Sequence, residues 1–329
     1  MISNGLFLKK NADGNTAVFF ESFSLPEIQS SELLLRFISS AINPADINMI
    51  DQRYLIKPTL PFSLGNEGVF RVVQVGNSVK GFKEGDRVIL PFKSESFWQG
   101  GWSHYIVSKP SFLIKVPERF SDDLAAMLTV NPLTAYLLLT DQRLVQNSLI
   151  IQNAANSHMG RWIAYFAKKF KFSCSHVVRS SKAKDSLPSW MQKNTFEFSD
   201  RLTVNMIFKN EKASLALNAV GGDQARFLAK CLRPHGRLIC YGAMAKQPLS
   251  FGNALFIFQN IVLKGFNRSR WLNEQSIDLV QQVYQRMFEI IDNDVLTILP
   301  IADRLPLSAY VEALNLSESV SGKVLFVHD

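Results

Sequence analysis

Ser148-Leu149-Ile150-Ile151-Gln152-Asn153-Ala154-Ala155-Asn156-Ser157-His158-Met159-Gly160-Arg161 is the stretch whose reading decides the fold. An apolar run of strand type, Ser148 to Gln152, passes through Asn and small residues and enters an amphipathic segment of helical type, Trp162 to Phe172. Strand, tight turn and helix in that order open a dinucleotide-binding unit, in which the first N–H groups of the helix and its dipole face a pyrophosphate. Such a turn is usually written with three glycines. Here the matching positions are Ala154, Ser157 and Gly160, with His158 and Met159 between the last two. With one glycine, the stretch also fits any strand–helix unit of an α/β protein.

The residues on either side add weight. From Ser148 the chain alternates apolar strands with helical stretches, and the expected strands are Ser148 to Gln152, His176 to Val178, Leu215 to Asn218, Arg237 to Tyr241 and Ile261 to Lys264. That alternation predicts an α/β fold, a doubly wound parallel sheet with helices on both faces. Before residue 120 the pattern is of short strands punctuated by Gly and Pro: Ala17 to Phe20, Glu32 to Phe37, Val69 to Gly76, Lys83 to Ile89 and Gly100 to Val107. This predicts a β-rich domain. Asn43-Pro44-Ala45-Asp46 reads as a turn into a short helix with Pro44 near its start. Ser121 is placed to cap a helix, and Asn131 to Leu139 forms the next one. The tail carries a helix over Leu307 to Leu314, then Gly322-Lys323-Val324-Leu325-Phe326-Val327, a strand assigned back to the β-rich domain. The expected division is 1–120 with 296–329 as one domain, and 121–295 as the nucleotide-binding domain inserted between them.

Composition narrows the partners. The chain has 329 residues, 47% hydrophobic and 19% charged, with formal net charge +8. No apolar run approaches the ~20 residues of a membrane span. The cations form no basic stripe with interleaved aromatics, so no nucleic-acid partner is expected. A basic field favours anions: a phosphorylated cofactor, a CoA-type substrate or an acidic carrier protein. Cys174, Cys231 and Cys240 have neither disulfide-framework nor zinc spacing. The first ten residues show neither a signal-peptide core nor an Arg/Ser-rich presequence, which predicts a cytoplasmic protein.

The second strand of the nucleotide unit ends in Val177-Val178-Arg179-Ser180-Ser181-Lys182. An NAD-preferring site has an acid here, about 20 residues after the turn, to hold the ribose hydroxyls. Arg179, Ser180 and Ser181 instead suit a 2′-phosphate, the arginine through its planar fork, and predict NADPH. A β-rich domain ahead of a nucleotide domain is also the layout of zinc alcohol dehydrogenases. Those need a Cys at the Asn43–Asp46 turn, a Gly-His-Glu segment and a cluster of four cysteines. The chain has Ala45, Gly65-Asn66-Glu67 and no cluster, so no metal is expected. A hydrogen-bond donor is then expected to polarise the substrate carbonyl.

On these residues the chain resembles zinc-free members of the medium-chain dehydrogenase/reductase superfamily, and within it the mitochondrial-type trans-2-enoyl thioester reductases of fatty-acid synthesis. The resembling segments are Asn43 to Ile50, Gly65 to Gly68, Val130 to Tyr136, Gln152 to Ser157, Tyr241 to Pro248 and Leu263 to Phe266. The resemblance implies a GroES-like catalytic domain beside a Rossmann domain. It implies that Tyr54 is the catalytic tyrosine and that Trp102 walls the pocket for acyl chain or nicotinamide. It also implies cofactor contacts at Asn131, at Ser157 to Gly160, at Tyr241, Gly242, Ala243 and Met244, at Phe266, Asn267 and Arg268, and at Lys323. Two departures stand out. His158-Met159-Gly160 replaces the family's Gly-Val-Gly, and Asn267-Arg268-Ser269-Arg270-Trp271 is more basic than its counterpart.

The expected activity is NADPH-dependent reduction of the double bond of 2-enoyl thioesters carried by CoA or acyl carrier protein. A quinone or enone reductase and a non-catalytic nucleotide-binding protein remain open beside it. Ile261 to Lys264 is expected as an edge strand that joins two copies into a homodimer.

Overall fold

The computed structural model describes residues 1–53, 57–91, 100–142 and 144–329. Two compact units divide the chain: Met1–Val130 with Leu272–Asp329, and Asn131–Trp271. Sequence patterning sets these boundaries at 120/121 and 295/296. By compactness the first unit reaches Val130 and resumes at Leu272, because the helix Ile277–Ile290 packs within it. Phe288 meets Phe120 edge-on with ring centroids 5.6 Å apart, and the Arg119 guanidinium donates to the Phe288 carbonyl.

The first unit opens with β1 (Ile2–Lys10) and β2 (Thr16–Ser24), antiparallel from Ile2↔Ser24 to Lys10↔Thr16. Sequence patterning missed β1, whose polar ends hide the buried run Gly5 to Leu8. Then follow β3 (Leu33–Ala41), the helix Pro44–Ile50, β4 (Phe62–Ser63), β5 (Val69–Val75), β6 (Arg87–Ile89), β7 (Tyr105–Ser108) and β8 (Ile114–Lys115). β4 adds to the free edge of β1, and β3, β5, β6 and β8 run side by side. Apolar residues of these strands, among them Leu6, Leu8, Leu35, Phe37 and Phe70, form one core with Trp102 and Phe326.

The second unit is built on β9 (Leu149–Gln152), β10 (Ser173–Val178), β11 (Thr195–Glu197), β12 (Ala213–Asn218), β13 (Leu232–Cys240) and β14 (Val262–Gly265). All pair in parallel, in the order β11-β10-β9-β12-β13-β14. The α/β expectation holds, and each expected strand is present. β11 is additional, three residues too short to stand out by periodicity. Starting from the centre, the chain builds outward first one way and then the other. With the right-handed crossovers that parallel strands almost always take, this order is the one that carries helices on both faces. The helix His158–Lys169 begins earlier than the expected Trp162 because the Ser157 hydroxyl accepts from Gly160 N at 3.0 Å and caps it. It buries Trp162, Ile163, Phe166 and Ala167 completely. Phe166 stacks on Trp162 at 5.5 Å and on Phe170 at 6.1 Å. The chain then returns to the first unit with β15 (Ile301–Pro306) and β16 (Lys323–Val327). β16 pairs parallel with β15 and antiparallel with β3, Leu325 facing Ala41. Among the described residues no helix is long and apolar enough to cross a membrane.

A buried polar tie fastens the helix His158–Lys169 to the sheet. The Gln152 amide nitrogen donates to the Gly160 carbonyl at 2.8 Å and lies 3.0 Å from His176 Nδ1. With its two protons so placed, it makes Nδ1 the acceptor of a neutral imidazole. Burial pushes the His176 pKa from 6.5 down to about 4. Between those values the unfolded chain binds a proton that the fold refuses. Stability therefore falls as pH drops from about 6.5 towards 4, by about 3 kcal/mol, and this group has no effect above neutrality. Urea midpoints between pH 7 and 4.5 should fall less steeply for His176→Gln than for the wild type. Phe166→Ala should cost about 3–5 kcal/mol at neutral pH in the same titration.

Candidate functional site

The turn after β9 accounts for its single glycine. Ala154 takes φ 50°, the left-handed backbone that the first glycine of such a turn normally supplies. For alanine this costs roughly 1–2 kcal/mol. Ser157 spends its hydroxyl on the cap, so its side chain turns back to the helix. Gly160 has no substitute: a Cβ there would lie 2.6 Å from the Ala154 oxygen and 2.6 Å from Ala155 Cα, both backbone atoms. His158 is 8% exposed, a buried first residue of the helix, while Met159 is half-buried. Arg161 is buried as well. Its Nε donates to the Asn156 carbonyl at 3.1 Å and its Nη2 to the Ser186 carbonyl at 2.7 Å, joining the turn to the C-terminal end of the helix Ser181–Asp185. Burial lowers its pKa from the ordinary value.

Asn153 directly follows β9 and Asn218 ends β12, the neighbours between which the strand order reverses. The Asn153 amide donates to Asn218 Oδ1 at 2.8 Å, and its oxygen accepts from Ala219 N at 2.7 Å. Asn218 Oδ1 also accepts from Gly221 N at 3.1 Å. Both side chains are wholly buried. They fasten the two strand ends together at the carboxyl edge of the sheet, the edge at which ligands bind in sheets of this order. Pattern reading passed over this pair. The signal available was an Asn closing each of two apolar strands.

Other expected residues fall on the same edge of the sheet. Arg179, just past β10, is exposed. Ser180 caps the helix Ser181–Asp185 by accepting from Ala183 N at 3.3 Å, and Ser181 Oγ donates to Glu197 Oε2 at 2.7 Å. Past β13, Tyr241 N donates to the Asn218 carbonyl at 3.0 Å. The Tyr241 hydroxyl is buried, finds no partner among the described residues, and has its pKa raised by burial. Gly242 lies against Ala219, whose oxygen would be 2.7 Å from an added Cβ, and Ala243 and Met244 are exposed. Past β14, Phe266 N donates to the Cys240 carbonyl at 2.9 Å, and Asn267 Oδ1 accepts from Arg270 N at 2.8 Å. Arg268 begins the helix Arg268–Glu274, and half-buried Asn131 begins the helix Asn131–Thr140.

In the first unit, the positions tested for zinc form a hydrogen-bonded network instead. Glu67 Oε1 accepts from the Asn43 amide at 2.6 Å, and Oε2 from Val130 N at 3.0 Å and Thr129 Oγ1 at 3.1 Å. Asp46 accepts from Asn43 N at 2.8 Å and from the Asn66 amide at 2.6 Å. Lys323 Nζ donates to the Ile42 carbonyl at 2.8 Å and Asn43 Oδ1 at 2.5 Å. Burial lowers the Lys323 pKa, opposed by the charges of Glu67 and Asp46. Lys323 is thus an internal cation of this network and not a surface lysine. Trp102 needs correction. Expected at a pocket wall, it is 0% exposed, its Nε1 donates to Ser40 Oγ at 3.0 Å, and Phe326 packs edge-on at 5.0 Å. Its size and its apolar neighbours make it a core residue. Tyr54 lies outside the described residues.

Residues 29–118 match the alcohol dehydrogenase GroES-like domain family. The human protein named enoyl-[acyl-carrier-protein] reductase, mitochondrial is 34% identical over 315 residues, 93% of this chain and 83% of its own. Its Dictyostelium discoideum namesake is 31% identical over 298 residues, 88% and 84% of the two chains. Among solved structures, the Etr1p/NADP/crotonyl-CoA complex superposes over all of both chains with TM-score 0.85 at 24% identity. The Etr1p/Etr2p heterodimer of mitochondrial 2-enoyl thioester reductase from Candida tropicalis does so with TM-score 0.85 at 25% identity. A quinone oxidoreductase from Pseudomonas syringae shares the fold over 99% of both chains, TM-score 0.79 at 18% identity. The expected cytoplasmic location is overturned by these relatives, which are named mitochondrial and point to that organelle. The first ten residues, read alone, were too little to judge location by. The chain is an oxidoreductase and belongs to the family of the mitochondrial enoyl-[acyl-carrier-protein] reductases.

Proposed function

We propose that this protein reduces the carbon–carbon double bond of 2-enoyl thioesters with NADPH. The observation that carries the reading is the identity of 34% to the human enoyl-[acyl-carrier-protein] reductase along 93% of the chain. The parallel sheet supports the cofactor half. Its order places Ala154 to Gly160, Arg179 to Ser181, Tyr241 to Met244 and Phe266 to Arg268 at the carboxyl ends of four strands. The helix His158–Lys169 starts directly behind the turn after β9, and a helix start there is where a diphosphate would bind. When bound, NADPH would supply a hydride to the β-carbon of the substrate.

The chain's own groups do the rest. Negative charge grows on the thioester oxygen as the double bond is reduced, and a phenolic O–H in a dry site stabilises it. Tyr54 is assigned that role and delivers the proton to the α-carbon. Arg179 holds the 2′-phosphate through its fork. The carrier, CoA or acyl carrier protein, is anionic and suits the net charge of +8. A second reading, reduction of quinones or enones, has in its favour the fold shared with the Pseudomonas syringae quinone oxidoreductase. The functional unit is assigned as a homodimer. β14 is an edge strand exposed at every residue, with Ile257 70% and Phe258 82% exposed just before it. Sedimentation of a monomer at micromolar concentration would remove that assignment.

Steady-state kinetics test the chemistry. With crotonyl-CoA and NADPH, Tyr54→Phe should lower kcat about a hundredfold or more while NADPH affinity and thermal midpoint stay put. Unchanged turnover would reject the role of Tyr54. A wild type that reduces quinones and ignores crotonyl-CoA would favour the second reading, and tight NADPH binding with no turnover would indicate a non-catalytic protein. Gly160→Val should weaken NADPH binding, followed by nucleotide fluorescence, because its side chain has only backbone to displace.

A further inference from the structure

Glu197 closes β11, and its register with Val178 sets it at the end of β10, one strand over. Neighbouring strands lie about 4.8 Å apart. Immediately past Val178 come Arg179, Ser180 and Ser181, and Ser181 Oγ donates to Glu197 Oε2 at 2.7 Å. Glu197 and Arg179 are both exposed. The rim beyond the second strand of the nucleotide unit therefore carries a guanidinium and a carboxylate together.

Those two groups select opposite ligands. A carboxylate at this rim accepts hydrogen bonds from the adenosine ribose hydroxyls of a dinucleotide without a 2′-phosphate. An arginine there forks onto the 2′-phosphate of the phosphorylated form, while a carboxylate repels it. In the usual arrangement the acid sits at the end of the second strand itself. Here that position is Arg179, and the acid comes from the third strand. The residues between them in sequence hide the juxtaposition, which appears only with the pairing of β10 and β11.

We propose that Glu197 is a specificity-determining residue that lets the same pocket accept NADH as well as NADPH. The inference rests on the dinucleotide-binding reading above. Arg179 takes the 2′-phosphate when it is present. When it is absent, the Glu197 carboxylate accepts from the 2′-hydroxyl, and the Ser181 hydroxyl holds that carboxylate at the rim.

The test is direct titration of the purified full-length chain with NADPH and with NADH, read by nucleotide fluorescence, for the wild type, Glu197→Gln and Ser181→Ala. The wild type should bind both. Glu197→Gln should tighten NADPH and weaken NADH, moving the ratio of the two dissociation constants about tenfold towards NADPH. Ser181→Ala frees the carboxylate from the hydroxyl that holds it at the rim and should move the ratio the same way, by less. A carboxylate that only steadies the neighbouring helix would shift the thermal midpoint and weaken both nucleotides alike. A ratio that stays within about twofold in both variants, or moves opposite to these directions, overturns the proposal, as does a wild type with no measurable affinity for NADH. A wild type that binds neither nucleotide defeats the dinucleotide reading itself, and this inference with it.

Discussion

One buried carboxylate organises the first unit. Glu67 is 2% exposed, and both of its oxygens are engaged, by the Asn43 amide on one side and by Thr129 and Val130 on the other. A buried charge persists only when its attraction and hydrogen bonds offset lost hydration, and removing one partner of such a pair typically costs about 3–5 kcal/mol. The Lys323 ammonium supplies the opposite charge through Asn43. The arrangement joins four separate pieces of chain: the turn after β3, the segment of Glu67 itself, the segment ending at Val130, and the first residue of β16. In a fold whose sheets are covered mainly by apolar side chains, these polar contacts fix which strand ends meet. Trp102 is set by the same logic. Its indole N–H finds Ser40 Oγ, and that hydroxyl in turn donates to the Glu67 carbonyl at 2.7 Å.

The second unit works by a different rule. Its groups of interest are separated by tens of residues in sequence and meet only because every strand of the sheet runs the same way. Successive crossovers return each loop to the same edge. Asn153 and Asn218 fasten two of those strand ends together, and Gln152, His176 and the Gly160 carbonyl fasten the central helix beneath them. A loop residue can then be exchanged without disturbing the sheet. That explains how Ala154 and Ser157 stand where glycines are usual, while position 160, packed against backbone, has room only for glycine.

Legibility in the sequence follows the range of the forces involved. The α/β architecture and the return of the last strand to the β-rich unit were readable, because apolar periodicity is local and strong. β1 and β11 were not, since one is bounded by polar residues and the other is three residues long. Ser157 and Gly160 were recognisable at the turn from spacing alone. The burial of Lys323 and Trp102 was not. A lysine and a tryptophan have the same sequence signature at a surface and in a core, and only tertiary packing distinguishes them. The hydrogen bond from Ser181 to Glu197 depends on strand pairing, which no linear pattern records.

The pairing of Leu325 with Ala41 has a consequence for how the molecule is assembled. The sheet of the first unit needs a strand made near the beginning of synthesis and another made 284 positions later, with the whole of the second unit in between. Residues 131–271 are contiguous and hold all six strands of their own sheet. A ribosome-bound chain can therefore complete that insert while the surrounding unit still waits for its last partner strand. Until residues 323–327 emerge, the β3 edge that they cover stays open to any other unpaired strand, which makes this interval the one in which a chaperone has most to protect.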